Sequence, residues 1–386
     1  MLWKQGLEKN SWPGTALDDR MTHPYRNLPA HNRWSRAVSE PDYPSVNPVV
    51  GFPFKIAPKD KVATAGSCFA QHIARRLKAS GYNYFVAEPG HALASEKVAE
   101  HFNYRIFSAR YANLYTTRQL VQLIERAYGE REPANGYWSL PNGRFVDSLR
   151  PTIEPEGFSS VLELEADRRQ HLASVRRMFE ELDVFVFTLG LTEAWIDKVD
   201  GTVFPVCPGV AGGTFDPERH IFHNFGVAEV IEDLHVAIRR ISQVNPTARF
   251  ILTVSPVPLV ATAEERHVLV STTYSKSVLR VACDEIARAY PEQVGYFPSY
   301  EIITGSFNRG RYFGHDLRSV TEEGVSHVMR VFMETVSTGG SQELPPVPVA
   351  DDAELALLRL QQFQQVVCEE ELLELARKQE ESTSKS

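Results

Sequence analysis

Five short apolar runs, separated by amphipathic stretches, constrain this chain most. The runs are Val62–Ala65, Tyr82–Val86, Val184–Leu189, Phe250–Val254 and Val294–Phe297. Between and after them, Cys68–Ala79, Thr117–Tyr128, Glu163–Leu182, Val227–Val244, Tyr274–Ala289 and Thr321–Val336 carry helical periodicity. Brief apolar strands alternating with amphipathic helices predict a mostly parallel sheet covered on both faces, an α/β architecture. In such sheets ligands bind beyond the carboxyl ends of the strands. Residues that directly follow a strand are therefore the first places to look for chemistry.

The first such place is Ala65-Gly66-Ser67-Cys68-Phe69-Ala70. Phe69, Ile73 and Leu77 recur at i, i+4 and i+8, one face of a helix, and Gly81 is its natural stop. A hydroxyl and a thiol thus stand at a strand-to-helix corner, where backbone N–H groups and the positive end of the helix dipole gather. A thiol so placed can serve as a nucleophile. A small-residue turn holding an inert cysteine has the same local pattern.

Bulk properties exclude several classes. The 386 residues are 43% hydrophobic and 23% charged, with a formal net charge of −8. That balance argues against broad electrostatic binding to nucleic acid or an anionic membrane. No signal peptide and no apolar run of membrane-spanning length is visible. The four cysteines, Cys68, Cys207, Cys283 and Cys368, are far apart and form no CxxC pair, which fits reduced thiols and a cytoplasmic location. No metal-ligand spacing, GxGxxG or Walker loop is present.

Residues 1–57, rich in Pro, Asn and aromatics, are expected to form an irregular arm over a domain spanning 58–338. Residues 129–160 contain Pro133, Gly136, Pro141, Gly143, Pro151 and Pro155 and are expected to be a surface insertion, a candidate lid. A Gly/Pro linker at 339–349 precedes an amphipathic helix at 350–380, which either packs on its own domain or joins two copies as a homodimer.

Two further segments stand at expected strand ends or loops. Thr188-Leu189-Gly190-Leu191-Thr192-Glu193 offers a glycine for close backbone approach and a hydroxyl that could donate to an oxyanion; Thr192 could equally cap a helix. Gly314-His315-Asp316 precedes a helix capped by Thr321, and its His–Asp pair could supply a base and its orienting carboxylate. A surface His beside an Asp reads the same way.

Together these residues resemble the GSCFA family, itself similar to the SGNH/GDSL hydrolases; the five residues Gly66–Ala70 spell its name. The resemblance continues through Thr188–Trp195, Val203–Cys207, Phe222–Phe225, Ile251–Pro256, Tyr274–Ser277, Tyr296–Glu301 and Asp316–Val325. It implies a flavodoxin-like three-layer α/β/α domain and acyl transfer or ester hydrolysis, with polysaccharide acetylation one suggested role. Laid on the Gly-Asp-Ser block of those hydrolases, Cys68 takes the nucleophile position and Ser67 the Asp position. Gly90 would match the second-block glycine. Gly190 to Glu193 would match Gly-x-Asn-Asp, with Thr192 in place of the oxyanion asparagine. The pattern breaks at Asp316–Thr321, where Ser319 stands in place of the usual base histidine. It also departs at Val206–Gly209, where many members carry Asn-Cys-His-Lys. His315 is then the first candidate base and His223 the second, with His91 and His327 as remoter choices and His72 expected to face solvent.

The expectation is an esterase or O-acyltransferase that uses Cys68, or Ser67, on a small-molecule or saccharide substrate. Acyl-CoA is one candidate acyl donor, and no bound cofactor is needed. The competing expectation is a ligand-binding pseudoenzyme on the same fold. The weakest alternative is an interaction protein acting through the C-terminal helix.

Overall fold

The computed structural model describes residues 23–339. The expected helix at 350–380 lies outside the described residues. Residues 23–46 belong to one unit and residues 47–339 to another. The first consists of short turns at Ala30–Asn32, Ser35–Ser39 and Tyr43–Ser45. Within it, the Arg33 guanidinium donates to the carbonyls of Tyr25 and Arg26.

In the larger unit the elements run β1 (Val62–Gly66), α1 (Ala70–Ala79), α2 (Glu96–His101), α3 (Thr117–Ala127), β2 (Tyr137–Ser139) and β3 (Phe145–Asp147). Then come α4 (Val161–Glu181), β4 (Val184–Leu189), β5 (Glu193–Asp197), β6 (Val203–Phe204), β7 (His220–Asn224) and α5 (Val227–Val244). The chain closes with β8 (Arg249–Val254), α6 (Val268–Ala289), β9 (Val294–Tyr296), α7 (Ser299–Thr304) and α8 (Glu322–Val336). The central sheet has the order β1-β4-β8-β9, and every pair in it is parallel. Tyr84 makes a single parallel bridge to Val62, outside β1. Counting that bridge, the order is the doubly wound 2-1-3-4-5. The expected strand at Tyr82–Val86 is reduced to this bridge.

Period-two alternation sorts the sheet residues between two helical layers. Phe185, Phe187, Leu189, Phe250, Leu252 and Val254 share a core with Leu234 and Ile238 of α5 and Leu279 and Ile286 of α6. Val184, Val186 and Ile251 are buried on the opposite face, where α1 packs against α8. Each fully buried Leu, Ile or Phe contributes roughly 1.5–3 kcal/mol. The result is the expected three-layer α/β arrangement. Capping follows the sequence: Thr321 accepts from the Gly324 N–H, and Gly81 follows the end of α1 with φ +74°.

Several elements were not expected from the sequence, among them α2, α7 and the β2–β3 hairpin, and one helix starts earlier than expected. A small antiparallel sheet of order β6-β5-β7 branches off after β4. Helix α6 begins at Val268, six residues before the expected start at Tyr274, with His267 capping it. Within 129–160, β2 and β3 form a hairpin whose Trp138 packs with Val146, Leu149, Phe204 and Val206.

Candidate functional site

The strand-to-helix corner owes its shape to Gly66. It is the last residue of β1, paired with Thr188 of β4. Its φ is +124°, and a Cβ there would overlap the Thr188 carbonyl oxygen and lie 2.7 Å from the Thr188 nitrogen. Only glycine permits this approach. The chain then turns: the Ser67 N–H donates to Thr188 O at 3.0 Å, and the Leu114 N–H donates to Gly66 O at 3.0 Å. Ser67 and Cys68 follow, immediately before α1.

These two residues line a small cleft with Tyr115, Gly190, Leu191, Ser255, Val257, Pro258, Leu259 and Lys276. The lining comes from the ends of β1, β4 and β8 and from α6, so the cleft lies at the carboxyl edge of the parallel strands. Gly190 is close-packed here, since a Cβ would meet the Tyr115 ring at 3.1 Å and Ser67 Cβ at 3.2 Å. Ser67 is 3% exposed and its Oγ has no hydrogen-bond partner. Cys68 is half-buried and packs beside Tyr115, Leu191 and Leu259. The other two described thiols are poor nucleophiles. Burial pushes Cys207 up to about 11 and drives Cys283 higher still.

Lys276 is the residue that sequence reasoning missed. It is 2% exposed, and its Nζ donates to the Gly190 carbonyl at 2.5 Å. Buried lysines are rare without a partner or a task. A signal was present: Lys276, Leu279, Cys283 and Ile286 stand at i, i+3, i+7 and i+10 along α6, and all are buried. A lysine in an apolar register of a helix asks for an explanation.

The anticipated oxyanion donors are already engaged. The N–H groups of Gly190 and Leu191 both donate to Tyr115 O, at 3.0 and 3.1 Å. The Thr192 N–H donates to Ser275 Oγ at 3.0 Å, and its hydroxyl donates to Asn224 Oδ1 at 2.7 Å. Glu193 begins β5 and accepts from the Thr262 hydroxyl; burial pushes its carboxyl up. Gly90 is not among the cleft residues. It has φ +73° under the ring of Tyr104, which a Cβ would meet at 2.8 Å. That packing accounts for the glycine without an oxyanion.

Among the described residues, no histidine lines the cleft. His223 is on β7, where its Nε2 is 2.9 Å from Glu229 Oε1 and its ring packs on Phe225. His315 is exposed. Its neighbour Asp316 accepts from the Ser319 hydroxyl and from the N–H groups of Arg318 and Ser319. Burial works against the Asp316 carboxylate, but these donors outweigh it and hold the group below the usual range. The same loop does reach the cleft through Arg318, whose Nε donates to the carbonyl of the lining residue Pro258 at 3.1 Å. His91 is exposed and accepts from the Leu93 N–H. His327 is buried, with Nδ1 2.6 Å from the Tyr312 hydroxyl. His72, expected in solvent, is half-buried against Phe69; burial and Arg75 lower it to about 4.

The GSCFA family pattern matches residues 61–332, most of the chain and all of the central sheet. The chain belongs to the GSCFA family. No curated protein and no solved structure matches it. Within this GSCFA protein the matched span holds every residue of the cleft, from Ser67 to Lys276. No helix among the described residues is long and apolar enough to cross a membrane.

Proposed function

We propose that this GSCFA protein is an acyl-ester hydrolase or O-acyltransferase that uses the Cys68 thiolate, with Lys276 as its charged partner. The convergence of Cys68 and the buried Lys276 in one cleft at the carboxyl edge of the sheet carries the reading. A cation in the same cleft favours thiolate over thiol. Ser67 is the weaker nucleophile because no base is bonded to its hydroxyl, and a hydroxyl needs one more than a thiol does.

In the first half-reaction the thiolate attacks the acyl carbonyl and a C–S bond forms. The ester C–O bond then breaks, and the Lys276 ammonium gives its proton to the departing alkoxide. In the second, water or an acceptor hydroxyl attacks the thioester and returns a proton to Lys276, and Cys68 leaves as thiolate. While the tetrahedral oxyanion exists, Lys276 supplies the charge that a set of free N–H groups would otherwise provide. A saccharide hydroxyl is one acceptor class compatible with this scheme.

A second reading, a non-catalytic binding module, draws on the engagement of the Gly190, Leu191 and Thr192 N–H groups by the protein itself. Turnover of an activated aryl acetate separates the two. Under the catalytic reading Cys68→Ala abolishes it and Lys276→Met lowers it by about a hundredfold, the loss typical of one oxyanion donor. Ser67→Ala retains the larger part. Equal rates in wild type and Cys68→Ala would refute the catalytic reading.

A further inference from the structure

A second cavity, of about 450 Å³, lies along α1 from the turn. That volume is in the range of small-molecule sites. One wall is the helix itself: Gln71, Arg75 and Lys78 stand at i, i+4 and i+7 and all line it. Apolar lining comes in part from the inserted hairpin region, through Leu140, Val146 and Pro151.

Three observations mark this cavity as built for a ligand. First, Gln71 is 4% exposed, yet its side-chain Oε1 has no hydrogen-bond partner. A buried unsatisfied amide oxygen costs about 1–3 kcal/mol, so it is expected to await a donor. Second, Arg75 and Lys78 line the cavity with one lining carboxylate, Glu100, while the third basic lining residue, Arg105, is ion-paired to Glu96. The Arg105 guanidinium is taken up by Glu96 and by the Pro89 and His91 carbonyls, while its own carbonyl accepts from Lys78 Nζ, so Arg105 serves to position Lys78 on the rim. Third, Asn103, Arg105 and Ala112 all line it with positive φ, at 60°, 64° and 59°. They are three of the five non-glycine residues in that conformation among the described residues. Strained backbone of this kind concentrates at ligand sites.

We propose that this cavity binds an organic phosphate monoester. The phosphate would sit between Arg75 and Lys78, where a dianion suits two neighbouring cations. An N–H or O–H of the organic body would donate to Gln71 Oε1, and its apolar part would lie on Leu140 and Val146. Two sources share this chemistry, a phosphorylated sugar and free 4′-phosphopantetheine. The cavity and the cleft flank the same turn: the Gln71 N–H donates to Cys68 O, while Ala112 lines the cavity and Tyr115 the cleft. Binding here does not require Cys68 to react, so the site stands or falls apart from the acyl-transfer reading.

The test is calorimetric titration of the full chain, in wild type and Cys68→Ala, with glucose 6-phosphate, 4′-phosphopantetheine and inorganic phosphate. At least one organic phosphate is expected to bind once per chain, equally in both proteins and more tightly than inorganic phosphate; the tighter of the two identifies the organic body. Arg75→Glu, at an exposed position where folding is not at risk, is expected to weaken it by at least about tenfold, the value of one charge-assisted contact. Gln71→Met is expected to weaken it several-fold. The proposal is overturned if neither organic phosphate binds more tightly than inorganic phosphate. It is equally overturned if Arg75→Glu leaves affinity unchanged, or if binding is lost in Cys68→Ala.

Discussion

Cys68 and Lys276 illustrate what a sequence shows and hides at the residue scale. Cys68 was legible because its setting is local: a strand, a glycine and a helix start within a few residues. Gly190 was legible for the same reason, and its close approach to Ser67 is what a glycine at a strand end suggests. Lys276 was hidden because it comes from a helix 208 residues further along the chain, and helical lysines usually face water. Histidine is the usual base by residue chemistry, but chain position does not show which side chain reaches a cleft. The fold instead sends His223 to Glu229 and His327 to Tyr312, and brings an ammonium to the cleft. Thr192 lost its expected role because a strand absent from the sequence reading places Asn224 beside its hydroxyl.

At the element scale, the six longer helices and the four strands of the central sheet carry strong periodic or continuous apolar signals and were legible, whereas the short α2 and α7 were not. Nor was the β5–β7 pair. Its residues are mixed in burial and polarity, and its ring pair Trp195–Phe222 is cross-strand, so no single run announces it. The junction between β1 and α1 depends on Gly66 more than on any apolar residue. Gly66→Ala combines a strained φ with overlap against the Thr188 backbone, which neither partner can relieve by a rotamer change. It is expected to cost more than about 4 kcal/mol, in the range reserved for exceptional lesions. Denaturant unfolding measures this, and a midpoint close to that of wild type would show that the turn can open without cost.

For the whole molecule, a buried ionic network ties the chain after β1 to the hairpin and α4. Arg110 bonds Asp167 and Glu154, Arg150 bonds Asp147 and Asp167, and Glu88 Oε2 lies 2.7 Å from His171 Nδ1. Burial pushes the Glu88 carboxyl up, but His171, Arg150 and the Arg110 N–H outweigh it and bring it to about 2, from 4.5. Burial, with Arg150 adding to it, lowers His171 from 6.5. Both folded values lie below the unfolded ones, so the stabilisation is complete above pH 6.5. It declines as the pH falls, first through His171 and then, below 4.5, through Glu88. Urea midpoints between pH 4.5 and 3 are therefore expected to fall less steeply in Glu88→Gln than in wild type. Parallel slopes would remove Glu88 from the acid limb. Apart from Arg150–Asp147, three residues apart, these pairings are not visible in the sequence, because each joins distant segments.

The central claim is that Cys68 carries the acyl group. The direct measurement is to mix the protein with an activated acetyl ester, quench in acid during turnover and map the acetylated peptides by mass spectrometry. An acetyl thioester is expected on Cys68, disappearing as the ester is exhausted and absent in Cys68→Ala. Turnover with no acetyl on Cys68, or with the acetyl on Ser67 instead, would contradict it.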